Sequence, residues 1–192
     1  MGTHPYAPGE LELVRAFVNT LDVEGGTDEF STLEGLNAFY VEKGLLEDGV
    51  AGENDRVAAV TVREALRAFL KANHGEPADP EAVRALNEAF KSLPLTLRVA
   101  PDGSLALEPS QGGAGGALAR IVAIVFRAMA EGTWSRLKIC KSDSCQWAFY
   151  DYSRNRSGNW CSMAVCGNRT KVRRFQARAR ARGPGAAAAR QT

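Results

Sequence analysis

All four cysteines of this 192-residue chain fall in one stretch near its C-terminal end. They form two pairs, Cys140 with Cys145 and Cys161 with Cys166, each with four residues between its members, and fifteen residues separate the pairs. Two short loops of this kind can bring four sulfurs around one point, and a closed set of four thiolates is the usual structural zinc cage. A spacer of four sits at the wide edge of the common range, so spacing alone is suggestive. Two disulfides are the alternative, with three pairings open. Met1 to Gly9 has no basic segment and no long apolar run, so no export signal is expected. A reducing cytoplasm, which leaves thiols free for metal, is the expected setting. Cys140, Cys145, Cys161 and Cys166 are thus the expected ligands of a structural Zn2+.

Charge divides the chain at the same place. Residues 1–135 carry 11 basic and 20 acidic residues, a net of −9, whereas residues 136–192 carry 13 basic and 2 acidic, a net of +11. An acidic body with a basic end points to a polyanionic partner for that end. Neutralisation of one half by the other is the blander reading. Most of the basic residues follow Cys166, where a helix would place Val172, Phe175 and Ala179 on one stripe and the cations on the other two. The apolar stripe is expected to dock on the metal knuckle, leaving Arg169, Lys171, Arg173, Arg174 and Arg178 to contact nucleic acid. Like charges one turn apart cost roughly 0.2–0.5 kcal/mol per pair, which suits a helix that receives phosphates.

Upstream, apolar periodicity predicts a mainly α fold. Leu11, Val14, Phe17, Val18 and Leu21 share a helical face, and Asn19 is expected to cap that helix through the backbone or to line a pocket. Ser31 and Glu34 suggest a capping box with Ser31 as N-cap. Asn54 or Asp55 should cap a longer helix, with Val62, Leu66, Phe69 and Leu70 inward and its charged residues outside. His74 reads as a turn residue rather than a ligand. Asp79-Pro80-Glu81 opens another helix, with Val83, Leu86 and Phe90 as its core face. Leu95–Val99 and Leu105–Glu108 alternate around Pro101-Asp102-Gly103, which predicts a hairpin. Ser110 to Gly116 reads as a flexible joint, and Ala117 to Met129 as the most buried helix. No stretch holds about 18 uninterrupted apolar residues, so no membrane span is expected.

The run Trp160-Cys161-Ser162-Met163-Ala164-Val165-Cys166-Gly167-Asn168-Arg169 resembles the signature of the CGNR zinc-finger proteins, and Cys145 to Asn155 resembles their first knuckle and hairpin. Phe17-Val18-Asn19-Thr20-Leu21 looks like the opening motif of the ABATE domain that precedes such fingers. The resemblance implies a bacterial, stress-induced transcription regulator. It also implies a helical ABATE-like domain over 10–132 with a β-hairpin near 95–108, then a treble-clef-like finger over 136–182 ending in a basic helix. A disordered tail, 183–192, is expected to follow.

The chain has no Ser-His-Asp set, no H-E-x-x-H and no Walker loop, and four thiolates leave zinc no open position for water. It is expected not to be an enzyme. A DNA-binding regulator, whose N-terminal domain dimerises or binds a small-molecule signal, is the leading expectation. An RNA-associated or protein–protein adaptor with a purely architectural zinc is the alternative. A thiol or zinc sensor is a third reading.

Overall fold

The computed structural model describes residues 5–46 and 50–181. Arg182 and the tail 183–192 therefore lie outside the described residues. The fold is mainly α, as expected. Helix α1 (Leu11–Val18) leads into a pair of two-residue strands, β1 (Leu21–Asp22) and β2 (Thr27–Asp28). Helices α2 (Leu33–Glu42), α3 (Glu53–Ala72) and α4 (Pro80–Ser92) follow, then the hairpin β3 (Leu95–Val99) and β4 (Leu105–Pro109), then α5 (Gly113–Ala130). A second hairpin, β5 (Leu137–Ile139) with β6 (Ala148–Tyr150), opens the cysteine-bearing region, which ends in α6 (Asn168–Ala181).

Local chemistry explains most of these boundaries, with several departures from expectation. Thr32, one residue later than expected, caps α2 by accepting the Gly35 amide at 3.1 Å. Ser31 belongs to the 3-10 turn Glu29–Ser31 instead. Gly52, not Asn54 or Asp55, stands at the N-cap of α3, and Asp55 reaches back to accept the Gly52 amide at 2.8 Å. Asp79 caps α4 as expected, accepting the Glu81 amide. The expected joint at 110–116 is half helix, because α5 starts at Gly113. A side chain at Gly116 would place a Cβ 2.1 Å from the Gln111 carbonyl. Tight packing of the helix start, not looseness, therefore accounts for a glycine there.

The core runs through α1, α2, α3 and α5. Phe17, Phe30 and Phe39 are buried with ring centroids 5.4–6.0 Å apart in tilted and edge-on pairs, each pair adding about 0.5–1.5 kcal/mol beyond area burial. Residues 121–125 of α5 are all buried, but Phe126 and Met129 are 48% and 43% exposed. Helix α5 is long and apolar enough, by length and composition, to cross a bilayer; here it packs against α1 and β4. Phe90, expected inside, is 37% exposed on α4, where Ala82 and Leu86 are the buried residues.

Two arginines of α3 overturn the expectation that its charges face water: Arg63 and Arg67 are only 1% and 4% exposed. Arg63 grips both carboxylate oxygens of Asp28, at 2.5 and 2.8 Å, and lies over the Phe30 ring. That hydrogen-bonded pairing outweighs burial and holds the Asp28 carboxyl below its ordinary range. Trp134, Leu137, Ile139, Ala148 and Tyr150 join the same hydrophobic core as the N-terminal helices. The first hairpin of the cysteine-bearing region is thus built into the helical body.

Candidate metal centre and basic helix

Strands β5 and β6 pair antiparallel, Leu137 with Tyr150 and Ile139 with Ala148. The loop between them is the first cysteine knuckle. It closes through Cys140 N to Trp147 O (2.9 Å) and Cys145 N to Ser142 O (2.8 Å). Gln146 sits at φ 49°, the left-handed region, to redirect the chain into β6. Lys138 on β5 forms a fully buried pair with Asp151, 2.8 Å apart, each side chain 3% exposed. Asp151 also accepts the Ser153 and Gly158 amides at 2.9 and 2.7 Å. Burial raises its carboxyl, but these bonds from Lys138, Ser153 and Gly158 win and hold it far below the carboxylate range. One carboxylate thus shapes the loop that returns to Cys161, and Lys141 N to Asn159 O (2.9 Å) ties that return to the knuckle.

The second cysteine pair spans a short π-helical turn, Met163–Gly167. Ser162 caps it by accepting the Val165 amide. Gly167 is buried, and a Cβ there would lie 3.0 Å from the Met163 side chain and 3.3 Å from Trp160. Asn168 donates to Ala164 O and Thr170 to Cys166 O, so the turn runs straight into α6. Cys166 sits at the positive end of this helical stretch, where a thiolate is favoured.

All four expected ligands converge. The Sγ atoms of Cys140, Cys145, Cys161 and Cys166 lie within 4.8 Å of one another, with Cys145–Cys161 at 3.6 Å and Cys161–Cys166 at 3.7 Å. Four sulfurs about 2.3 Å from a tetrahedral zinc stand about 3.8 Å apart, whereas a disulfide needs about 2.05 Å. Left to themselves, sulfurs this close cannot all be charged. Hydrogen bonds from Cys145 and Cys161 draw the Cys140 thiol down to about 2. The same contact with Cys140 pushes Cys145 up to about 12 and, with Cys145, drives Cys161 up. Burial, then the Cys140 charge, raises Cys166. A central dication removes that conflict, so the donor set fits zinc. Trp147 and Trp160 pack against the cysteines, as expected, and Phe149 is buried in β6.

The helical body holds this knuckle at both ends. Asn19, at the end of α1, donates to Ala148 O (2.9 Å) and accepts Ala148 N (2.7 Å). Its backbone N–H caps α1 as expected, donating to Arg15 O at 3.1 Å, while its side chain holds β6 of the other region rather than a pocket. Arg67 donates to Gln146 O (2.9 Å) and to Val18 O. Asn73 donates to Trp134 O and Leu137 O, and His74 Nε2 lies 2.7 Å from Ile139 O. His74 is in the turn after α3 as expected. The roles of Arg67, Asn73 and Asp151 were not foreseen. Projection of α3 carried a signal for its arginines, since Arg63 shares a face with Ala59, Leu66 and Leu70.

The basic helix departs from expectation in two ways. Its apolar stripe does not dock: Val172 and Phe175 are 53% and 74% exposed. Every residue from Lys171 to Arg180 is exposed, because α6 packs chiefly on the turn before it. Arg169 does not stand free either, being paired with Glu24 of the β1–β2 turn. Lys171, Arg173, Arg174 and Arg178 make no ion pair among the described residues. The pairing closes one side of a cleft of about 520 Å3 that Asp22, Glu24, Cys145, Cys161, Cys166 and Arg169 help to line.

Two family models match. Residues 136–179 match the CGNR zinc finger, and residues 11–132 match the ABATE family, described as "Putative stress-induced transcription regulator". No curated protein matches the chain. With most of its length covered by the ABATE model and its thiolate knot covered by the finger model, the chain belongs to the ABATE family and carries a CGNR zinc finger.

Proposed function

We propose that the protein is a DNA-binding transcription regulator in the cytoplasm, acting by binding and not by catalysis. Its N-terminal domain would dimerise or receive a signal. The four thiolates would hold a structural zinc, which ties two distant loops and so aims α6. The observation that carries this reading is α6 itself: a rod rooted in the thiolate turn, with Lys171, Arg173, Arg174 and Arg178 exposed. Exposed Val172 and Phe175 on the same helix suit apolar contacts such as thymine methyl groups.

The test is binding of the zinc-loaded chain to labelled duplex DNA as salt is varied. Four neutralised phosphates give a log–log slope of about −3.6. A slope near zero removes the reading. The pairing of Arg169 with a carboxylate favours a second reading, in which the basic face meets an acidic protein or RNA. Equal affinity for every duplex, with recovery of one RNA or acidic protein on pull-down, would replace the first reading by the second.

A further inference from the structure

The hairpin β3–β4 is amphipathic, and its apolar face is only partly covered. Leu97 pairs with Leu107 and Val99 with Leu105 across the register. Alternation therefore places Leu95, Leu97, Val99, Leu105 and Leu107 on one face. The opposite face carries the Arg98–Glu108 ion pair, 2.9 Å long. Leu95 and Leu107 form part of a groove of about 310 Å3, whose other walls include Phe69, Phe90, Phe126 and Met129. Asn87 is the only polar side chain lining it among the described residues. Beyond the groove the same face continues to Leu97, Val99 and Leu105, which are 66%, 66% and 69% exposed.

Together with Phe90, Phe126 and Met129 these side chains expose on the order of 600 Å2 of apolar surface, the upper end for the largest patch on a monomer. We propose that this face joins two copies of the chain about a two-fold axis, with Leu97, Val99 and Leu105 of each hairpin laid against the groove of the other. The groove is lined by apolar side chains and Asn87, and Leu97, Val99 and Leu105 stand exposed on the same hairpin face; neither part carries a charge, so the face can be self-complementary as an isologous contact requires. Counted on both copies, the area reaches the roughly 1,200–2,000 Å2 of a stable interface. A small apolar molecule would fill the groove yet leave Leu97, Val99 and Leu105 in water. A nucleic acid or a charged peptide would find no counter-charge there. If α6 binds DNA as proposed, the pairing presents two basic helices to two half-sites; the association itself does not depend on that reading.

Sedimentation equilibrium of the full, zinc-loaded chain over a dilution series tests it. The expected mass is twice the 20.6 kDa of the chain, little changed by salt. Leu97→Lys and Leu105→Lys each act at an exposed site, so they should keep the parent's helical content by circular dichroism yet dissociate at least tenfold more readily. Phe175→Arg on α6 should leave the dimer intact. A parent that stays monomeric, a dimer that survives both lysine variants, or one that Phe175→Arg dissociates would overturn the proposal. A monomer carrying an apolar adduct in native mass spectrometry would overturn it in favour of a ligand groove. DNA binding by a monomer would separate its failure from that of the regulator reading.

Discussion

At the scale of single residues, side-chain hydrogen bonds to backbone carry much of the structure. Asn19 satisfies both the N–H and the C=O of Ala148, and all three groups are buried. Asn19→Ala leaves two buried backbone groups unpaired at about 1–3 kcal/mol each. The expected result is a lower melting temperature and faster transfer of zinc to a chromogenic chelator. A variant that melts and releases metal like the parent would show that the bond is dispensable. Asp151 gives a second test, through pH. Its folded carboxyl lies below its unfolded value, so its stabilisation is present above the unfolded pKa of about 3.9 and fades as pH falls through the folded value. Denaturant midpoints should decline below about pH 4. Asp151→Asn should flatten that part of the decline and, by stranding Lys138 in the interior, cost about 3–5 kcal/mol at neutral pH.

At the scale of elements, α6 shows how a helix can be legible while its placement is not. Its stripes were readable from periodicity, and its start at the fourth cysteine followed from the motif. Whether Val172 and Phe175 would be covered depended on the direction in which the π turn launches the helix, which no local pattern encodes. The pairing of Arg169 with Glu24 has the same origin, since residues 145 apart meet only in three dimensions. Exposed pairs are worth about 0.2–1 kcal/mol, so Glu24 holds Arg169 weakly. Glu24→Gln should free one more cation for phosphate. Duplex affinity should rise a few-fold at low salt and the log–log slope should steepen by about 0.9. An unchanged slope would mean that Arg169 lies outside the contact.

At the scale of the whole molecule, the two family regions share one core. Leu137, Ile139 and Ala148 are buried among the N-terminal helices while the knuckle between them holds the cysteines. Binding that favours the folded form stabilises everything folding with it. Removal of zinc by a strong chelator should therefore lower the melting temperature of the helical body as well as the finger, in one transition. A separate low-temperature step, with the helical signal untouched, would show instead that the finger is an independent bead.

Sequence by itself determined the thiolate knot, the order of the helices, the β3–β4 hairpin and the basic rod. Each depends on residue type at a local spacing: sulfur pairs for a soft cation, periodicity for an amphipathic face, proline and glycine for turns. Tertiary structure alone decided which partners meet the buried Arg63 and Arg67, that the Asn19 side chain serves a distant strand, and that part of the hairpin's apolar face and that of α6 stay uncovered. Those outcomes depend on how distant surfaces meet. A polar group enters the interior only where another segment supplies its partner, and an apolar stripe stays wet where none arrives.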